Sequence, residues 1–296
     1  RGIICPTLRQ YTLLGDGINM TDGKIFENSK NDIKDDRLVF TEENPWRELY
    51  VAGTLAGTSR AIKNYNPQLS NECIKIAKTI WSKYKSVKFI NNFAAIELFL
   101  TTGDEEYKNY ILNNINTEKQ IINNAWLLGR ALPLLKDENY NSLVNSVLEK
   151  FKTEIENQQS ENPYGVPYKP DIWGAGWSIQ EFGVKQYFLN KSFPKLFPKE
   201  NMLKALNFVL GVHPGNNTSS FASGVGVNSL TVAYGVNRDE WSYIPGGVGS
   251  GTAIIRPDFP ELKVWPYFWQ QAEYVMGGGA CDFMFLVLAA NSILNN

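Results

Sequence analysis

From Asn44 onward, apolar positions recur three and four residues apart, the period of a helix with one buried face. Pro45 suits a first helical turn, and "WRELYVAGTLAGTSRAIKNY" then places Leu49, Ala52, Leu55 and Ala56 on one side, where small residues permit close packing. The same spacing predicts helices near 68–84, 88–101, 104–114, 118–135 and 140–158, joined by short connections such as "TTGDEEY". That is a run of helical hairpins. After "NPYGVPYKPD" the pattern predicts helices near 173–189 and 199–210, and two last helices flanking Gly277, Gly278 and Gly279. About fifty residues rich in Gly, Ser, Asn and Val separate these pairs without helical periodicity, and loops of such length in a compact domain are usually functional or disordered. The first 43 residues are polar and turn-rich, which predicts irregular structure with a short hairpin. No 34-residue repeat of a solenoid is visible. About ten helices in antiparallel neighbours fit an all-α toroid better than a four-helix bundle.

Charge narrows the ligand. Twenty-nine basic and 30 acidic residues leave a formal charge of -1, so there is no electrostatic footprint for nucleic acid or an anionic membrane. A neutral or small ligand is expected. Aromatic residues make up 13% of the chain, and many lie in Gly/Pro-rich segments, where rings make surfaces for flat ligands. Cys5, Cys73 and Cys281 are far apart and odd in number, which predicts free thiols. The single histidine, His213, excludes a His-rich metal site and argues against a Ser-His-Asp triad. "DGINMTDG" lacks the spacing of a calcium loop, and "GGVGSGTA" lacks the Lys and context of a phosphate-binding loop. No cofactor or metal is therefore predicted. No apolar run reaches the length needed to span a bilayer, and "RGIICPTLRQ" has no signal-peptide pattern. The absence of an initial Met reads as a mature product or a fragment.

Four stretches, in order, carry a resemblance. "LYVAGTLAGTSRAI" is similar to an Ala-rich helix of family 9 glycoside hydrolases, and "AAIELFLTTGDEEY" to that family's Glu-Leu-Tyr-x-x-Thr-Gly-Asp helix and turn. "NPYGVPYKPDIWGAGW" resembles the segment ending Trp-Gly-Ser-Asn, and "LNFVLGVHPGNNTSSFASGVG" resembles Leu-Leu-Gly-x-Asn-Pro followed by a Ser-Phe/Tyr-Val-x-Gly-x-Gly turn. The resemblance implies an (α/α)6 barrel, a single catalytic-type domain over 1–296, and inverting hydrolysis of a β-linked glucan or related plant polysaccharide. There are departures. His213-Pro214 stands for the family's Asn-Pro, its sugar-gripping Pro-His-His-Arg is absent, and the Asp-Ala-Gly-Asp motif that carries its water-activating base occurs nowhere. The chain thus resembles the C-terminal two thirds of such a module, and a companion N-terminal polypeptide is one expected source of the base.

The resemblance also places the general acid. The family's acid lies near the C-terminus before a final Gly- and Ala-rich helix, and Glu273 in "WQQAEYVMGGGACDF" occupies the similar place. The chemistry gives an independent reason: an acid still protonated at working pH needs desolvation, and Trp265, Tyr267, Trp269 and Tyr274 are near in sequence. Trp173 matches the Trp of the Trp-Gly-Ser-Asn segment that lines the family's cleft. Trp173, Trp177, Trp241, Tyr243 and Trp269 are the expected substrate-binding rings, since sugar rings stack their C–H faces on aromatic planes. If the base is internal, the candidates are Asp171, Asp239, Glu240 and Asp258. Two other readings stay open, another six-hairpin carbohydrate enzyme (an exo-glycosidase or polysaccharide lyase) and a non-catalytic glycan-binding protein. A polymer substrate implies a secreted or periplasmic location.

Overall fold

The computed structural model describes residues 11–14, 37–40, 43–87, 92–169, 175–212, 219–229, 245–249 and 278–295. The chain divides into two compact units, Arg1–Ala94 and Ala95–Asn296.

In the first unit, β1 (Tyr11–Leu14) pairs antiparallel with β2 (Arg37–Phe40), so the polar N-terminal stretch does contain a strand pair. Helices α1 (Pro45–Ile62) and α2 (Pro67–Tyr84) follow, and both begin with the dipeptide Asn-Pro. Asn44 Oδ1 accepts from the Arg47 N–H and Asn66 Oδ1 from the Leu69 N–H, both at 3.1 Å, satisfying donors that a helix start leaves without partners. The two helices form an antiparallel hairpin. Ser70 Oγ donates to the Ser59 carbonyl at 2.8 Å at one end, and the Tyr84 hydroxyl donates to Glu48 at 2.7 Å at the other. The expected apolar face holds: Leu49, Ala52 and Ala56 are fully buried and Leu55 is half-buried.

The second unit continues α3 (Asn92–Thr102) and adds α4 (Glu105–Asn114), α5 (Glu118–Leu135), α6 (Glu138–Ser160), α7 (Gly176–Ser192), α8 (Lys199–Leu210) and α9 (Gly278–Leu294). Helix α5 starts with a capping box in which Thr117 and Gln120 satisfy each other's backbone N–H. Asp137 caps α6 by accepting from the Tyr140 N–H at 2.8 Å, and the Tyr140 hydroxyl, donating to the Ile115 carbonyl at 2.7 Å, ties α6 to the end of α4. One predicted boundary shifts. The three glycines do not all lie between two helices, because α9 already begins at Gly278. Any helix before them lies outside the described residues.

Helices α7, α8 and α9 pack on one another. Gln186 accepts from Asn201 at 3.0 Å, and Asn190 donates to the Phe197 carbonyl at 2.8 Å, so α8 runs antiparallel to α7. At Gly183 a Cβ would lie 2.8 Å from Ala205 Cβ and 3.0 Å from Leu286 Cδ2, so the missing side chain is what lets α8 and α9 approach α7. Gly183→Ala is expected to destabilise the protein: about 1–3 kcal/mol of overpacking exceeds the gain of up to ~1 kcal/mol in helix propensity. Denaturant unfolding of the two proteins checks this. Among the described residues no helix is long and apolar enough to cross a membrane.

Candidate active site

Which ends of these helices lie together follows from their packing. Phe283, near the start of α9, packs on a cluster containing Ala175, Ile179 and Phe208, at the start of α7 and the end of α8. Ile293, near the end of α9, packs only on the cluster of Met202 and Leu206, toward the start of α8, which Phe283 also touches. Asp282 lies near Glu181, while Phe285 meets Tyr187 and Phe188. Helix α9 therefore runs parallel to α7. The starts of α7 and α9 and the end of α8 meet at one end of the second unit.

The end of α8 leads into a strapped turn. Phe221 N–H donates to the Val209 carbonyl at 2.9 Å, and Ser220 Oγ contacts the same carbonyl at 3.3 Å, fastening the Ser-Phe-Ala-Ser-Gly-Val-Gly stretch to the helix. Gly226 has φ of +86°, and a Cβ there would stand 3.1 Å from Ser220 Cβ and 3.2 Å from the Leu210 carbonyl; both facts demand glycine. A second strand of chain is held alongside by Ser223 N–H to the Gly247 carbonyl (2.9 Å) and Gly249 N–H to the Phe221 carbonyl (2.7 Å). Residues 245–249, which follow Trp241 and Tyr243 in the chain, are thereby pinned to this end.

Of the expected site residues, Trp177 lies among the described ones. It sits in the first turn of α7 and is 47% exposed, leaving an indole face available at the end just defined. Trp173, Trp241, Tyr243, Trp269 and Glu273 lie outside the described residues, as do Asp171, Asp239, Glu240 and Asp258. Cys73 and Cys281 are free thiols, and Cys5 lies outside the described residues.

Two polar groups at this end were not singled out from the sequence. Asp282, in α9, has its carboxyl held above the usual range, first by burial and then by the negative charge of Glu181, with Lys185 opposing. Glu181 and Lys185 pair along α7 at 2.6 Å. The Glu181–Lys185 spacing was visible as an i,i+4 pair, whereas the approach of Asp282 depends on how α9 packs. Gln180, in the second turn of α7, is completely buried, with no hydrogen-bond partner for Oε1 or Nε2 among the described residues.

A cavity of about 200 Å³ near the start of α8 has a different character. It is lined by Lys152, Glu156, Gln159, Phe197, Asn201 and Lys204, and its buried amide Asn201 is satisfied by Gln159 and Gln186. It lies away from the end where the loops gather.

No curated protein matches the sequence. Solved structures do. The chain is similar to AaCel9A in complex with a cellobiose-like isofagomine (14% identity, TM-score 0.66, covering 90% of this chain and 59% of that one). It is similar to a single mutant of the thermostable endoglucanase from Alicyclobacillus acidocaldarius (15%, 0.67, 88% and 57%). It is also similar to a GH9 protein from Bacteroides ovatus (18%, 0.64, 87% and 55%). At these identities the likeness establishes the fold, the all-α (α/α)6 architecture expected from the sequence, and the chain spans less than three fifths of the length of those structures. The model of glycosyl hydrolase family 9 matches residues 8–246, most of the chain and both of its units. With the strapped Ser-Phe-Ala-Ser-Gly-Val-Gly turn and the shared fold pointing the same way, the chain belongs to glycosyl hydrolase family 9.

Proposed function

We propose that the protein is a glycoside hydrolase that cuts a β-linked glucan or related plant polysaccharide with inversion, and that 1–296 acts as one catalytic-type domain. One observation carries this reading: in a family 9 chain, the starts of α7 and α9, the end of α8 and residues 245–249 come together at one end of the second unit, where Trp177 presents its ring. The match of one family model across both units supports a single domain. Two of the similar structures are an endoglucanase and a complex with a cellobiose-like isofagomine, which supports a glucan-type ligand.

In this reading Glu273 protonates the departing glycosidic oxygen as the bond from the anomeric carbon breaks. A second carboxylate, roughly 6.5 to 9.5 Å from it in an inverting enzyme, takes a proton from the attacking water. The aromatic residues hold successive sugar rings by their C–H faces. The base is assigned to no single residue: Asp171, Asp239, Glu240 and Asp258 are the candidates within this chain, and a companion polypeptide is the alternative source. A polymer substrate implies action outside the cytoplasm.

The test is product analysis on a soluble β-glucan, using the purified protein with whatever polypeptide travels with it. New reducing ends first appearing as the α-anomer are the expected result. Ultraviolet-absorbing unsaturated ends would identify a lyase, first-formed β-anomers a retaining enzyme, and saturable binding without cleavage a glycan-binding protein.

A further inference from the structure

Helix α9 is apolar on every side for most of its length. Leu286, Ala289 and Ala290 are buried in a cluster with Met202 and Leu206 of α8, against which Val184 and Tyr187 of α7 also pack. On the opposite side Cys281, Met284, Leu288, Asn291 and Asn295 are exposed, Met284 to 59% and Leu288 to 65%, and Val287 and Leu294 are exposed beside them. The one charged residue of the helix, Asp282, lies instead near Glu181 of α7. A surface helix normally turns charged and polar groups to water, whereas a helix that is apolar all round is a buried one. The exposed side of α9 is therefore suited to being covered.

The spacing on that side indicates what covers it. Positions 281, 284, 288, 291 and 295 alternate three and four residues apart, which is the seam that one helix presents to another. At 1.5 Å per residue the seam is about 21 Å long, room for about four turns of a second helix. It carries no charge, so apolar packing rather than ion pairing holds the partner.

The architecture identifies the source of that helix. Helices α7 and α9 run parallel, as successive members of one ring of helical hairpins do, and α9 buries one side against α7 and α8. A closed ring leaves no member with its other side bare, because each apolar stripe is buried against the next element. Residues 1–296 span less than three fifths of the length of the similar (α/α)6 structures. We propose that the seam of α9 is a docking surface for a helix from the part of a family 9 barrel that residues 1–296 do not contain. The inference rests on the family and the fold, and stands apart from the glycan reading.

Cys281 stands in the seam and reports on its coverage, since an exposed thiol reacts with alkylating reagents and a covered one does not. Labelling by N-ethylmaleimide is followed as the mass of the peptide that carries Cys281, with the buried Cys73 as the standard for a covered thiol. Chain 1–296 produced alone is compared with the protein purified from its natural source, together with whatever polypeptide is joined to it or travels with it. Cys281 should label about tenfold more slowly in the natural protein. The covering polypeptide, sequenced by mass spectrometry, should align with the part of the similar structures that lies outside their match to this chain. Equal labelling in the two preparations would overturn the docking surface. So would protection in an assembly that holds only copies of this chain, which would make α9 a self-association face. In chain 1–296 itself, Met284→Gln/Leu288→Gln should lower the fluorescence of the apolar dye ANS and leave the melting midpoint unchanged or higher. A lower midpoint would mean that the chain covers this side with its own residues, and would equally overturn the proposal.

Discussion

Glu273→Gln is expected to reduce hydrolysis of a β-glucan by about 10²–10⁴-fold, the usual contribution of a positioned general acid, while the melting midpoint stays near that of the parent. Gln has the shape of Glu, so it preserves packing and removes only the transferable proton. The two effects should separate on a second substrate. An aryl glycoside with a leaving group of low pKa needs little protonation as it departs, so the variant should keep far more of its rate there than on the polysaccharide. A variant with full activity on both substrates would remove Glu273 from the mechanism. A large fall in stability with an equal loss on both substrates would instead identify a carboxylate that ties down helix ends. Steady-state kinetics on the two substrates, with a thermal melt of each protein, distinguish these results.

The largest loss of stability among the described residues is expected at Glu97 and Arg130. Glu97, on α3, is 4% exposed and pairs with the Arg130 guanidinium on α5. That guanidinium lies 5.3 Å from the centroid of Phe188 on α7 and 6.0 Å from that of Trp126, and Phe188 in turn stacks on Phe285 of α9 at 5.6 Å. One charge pair therefore ties α3 and α5 to the aromatic layer that reaches α7 and α9. Removing Glu97 leaves the largely buried Arg130 charge without its carboxylate, and breaking such a pair typically costs about 3–5 kcal/mol. Because the Arg130 side chain is 30% exposed, water screens part of the loss, and Glu97→Ala should cost about 3 kcal/mol, the low end of that range.

Replacing both groups with apolar side chains of similar size should cost much less, because no orphaned charge remains. The buried Arg130 Nε, which has no hydrogen-bond partner among the described residues, points the same way: the guanidinium is already incompletely satisfied. A double-mutant cycle by urea unfolding measures the coupling. Additive single effects would show that the two residues contribute independently.

Much of the helical framework was legible along the chain. The three-and-four spacing of Leu49, Ala52, Leu55 and Ala56 predicts the buried face of α1, and the turn "TTGDEEY" predicts the break between α3 and α4, because amphipathic period and turn chemistry are local properties. Asn44 and Asn66 before prolines, and Thr117 with Gln120, are helix starts that a local reading can find. The start of α9 was less legible. Glycine usually interrupts helices, yet Gly278 and Gly279 lie within one, where tertiary packing outweighs their poor propensity.

The family could likewise be read from four short stretches in order, because its turns depend on particular residues. Gly226 is one of them, required by a positive φ and by the approach of Ser220. Tertiary structure alone decided which chain ends meet. That α9 runs parallel to α7, bringing the segment that follows Glu273 beside the one that follows Trp173, depends on Gly183 admitting Leu286 and on Phe283 packing against the cluster that contains Ile179. Those contacts join residues about a hundred positions apart. The buried amide of Gln180, unpaired among the described residues, is of the same kind: in the sequence it is one polar residue on a helix, and its isolation comes from what packs around it. Local periodicity encodes which segments become helices, whereas burial and the loss of hydrogen-bond partners arise only when distant helices exclude water from the space between them.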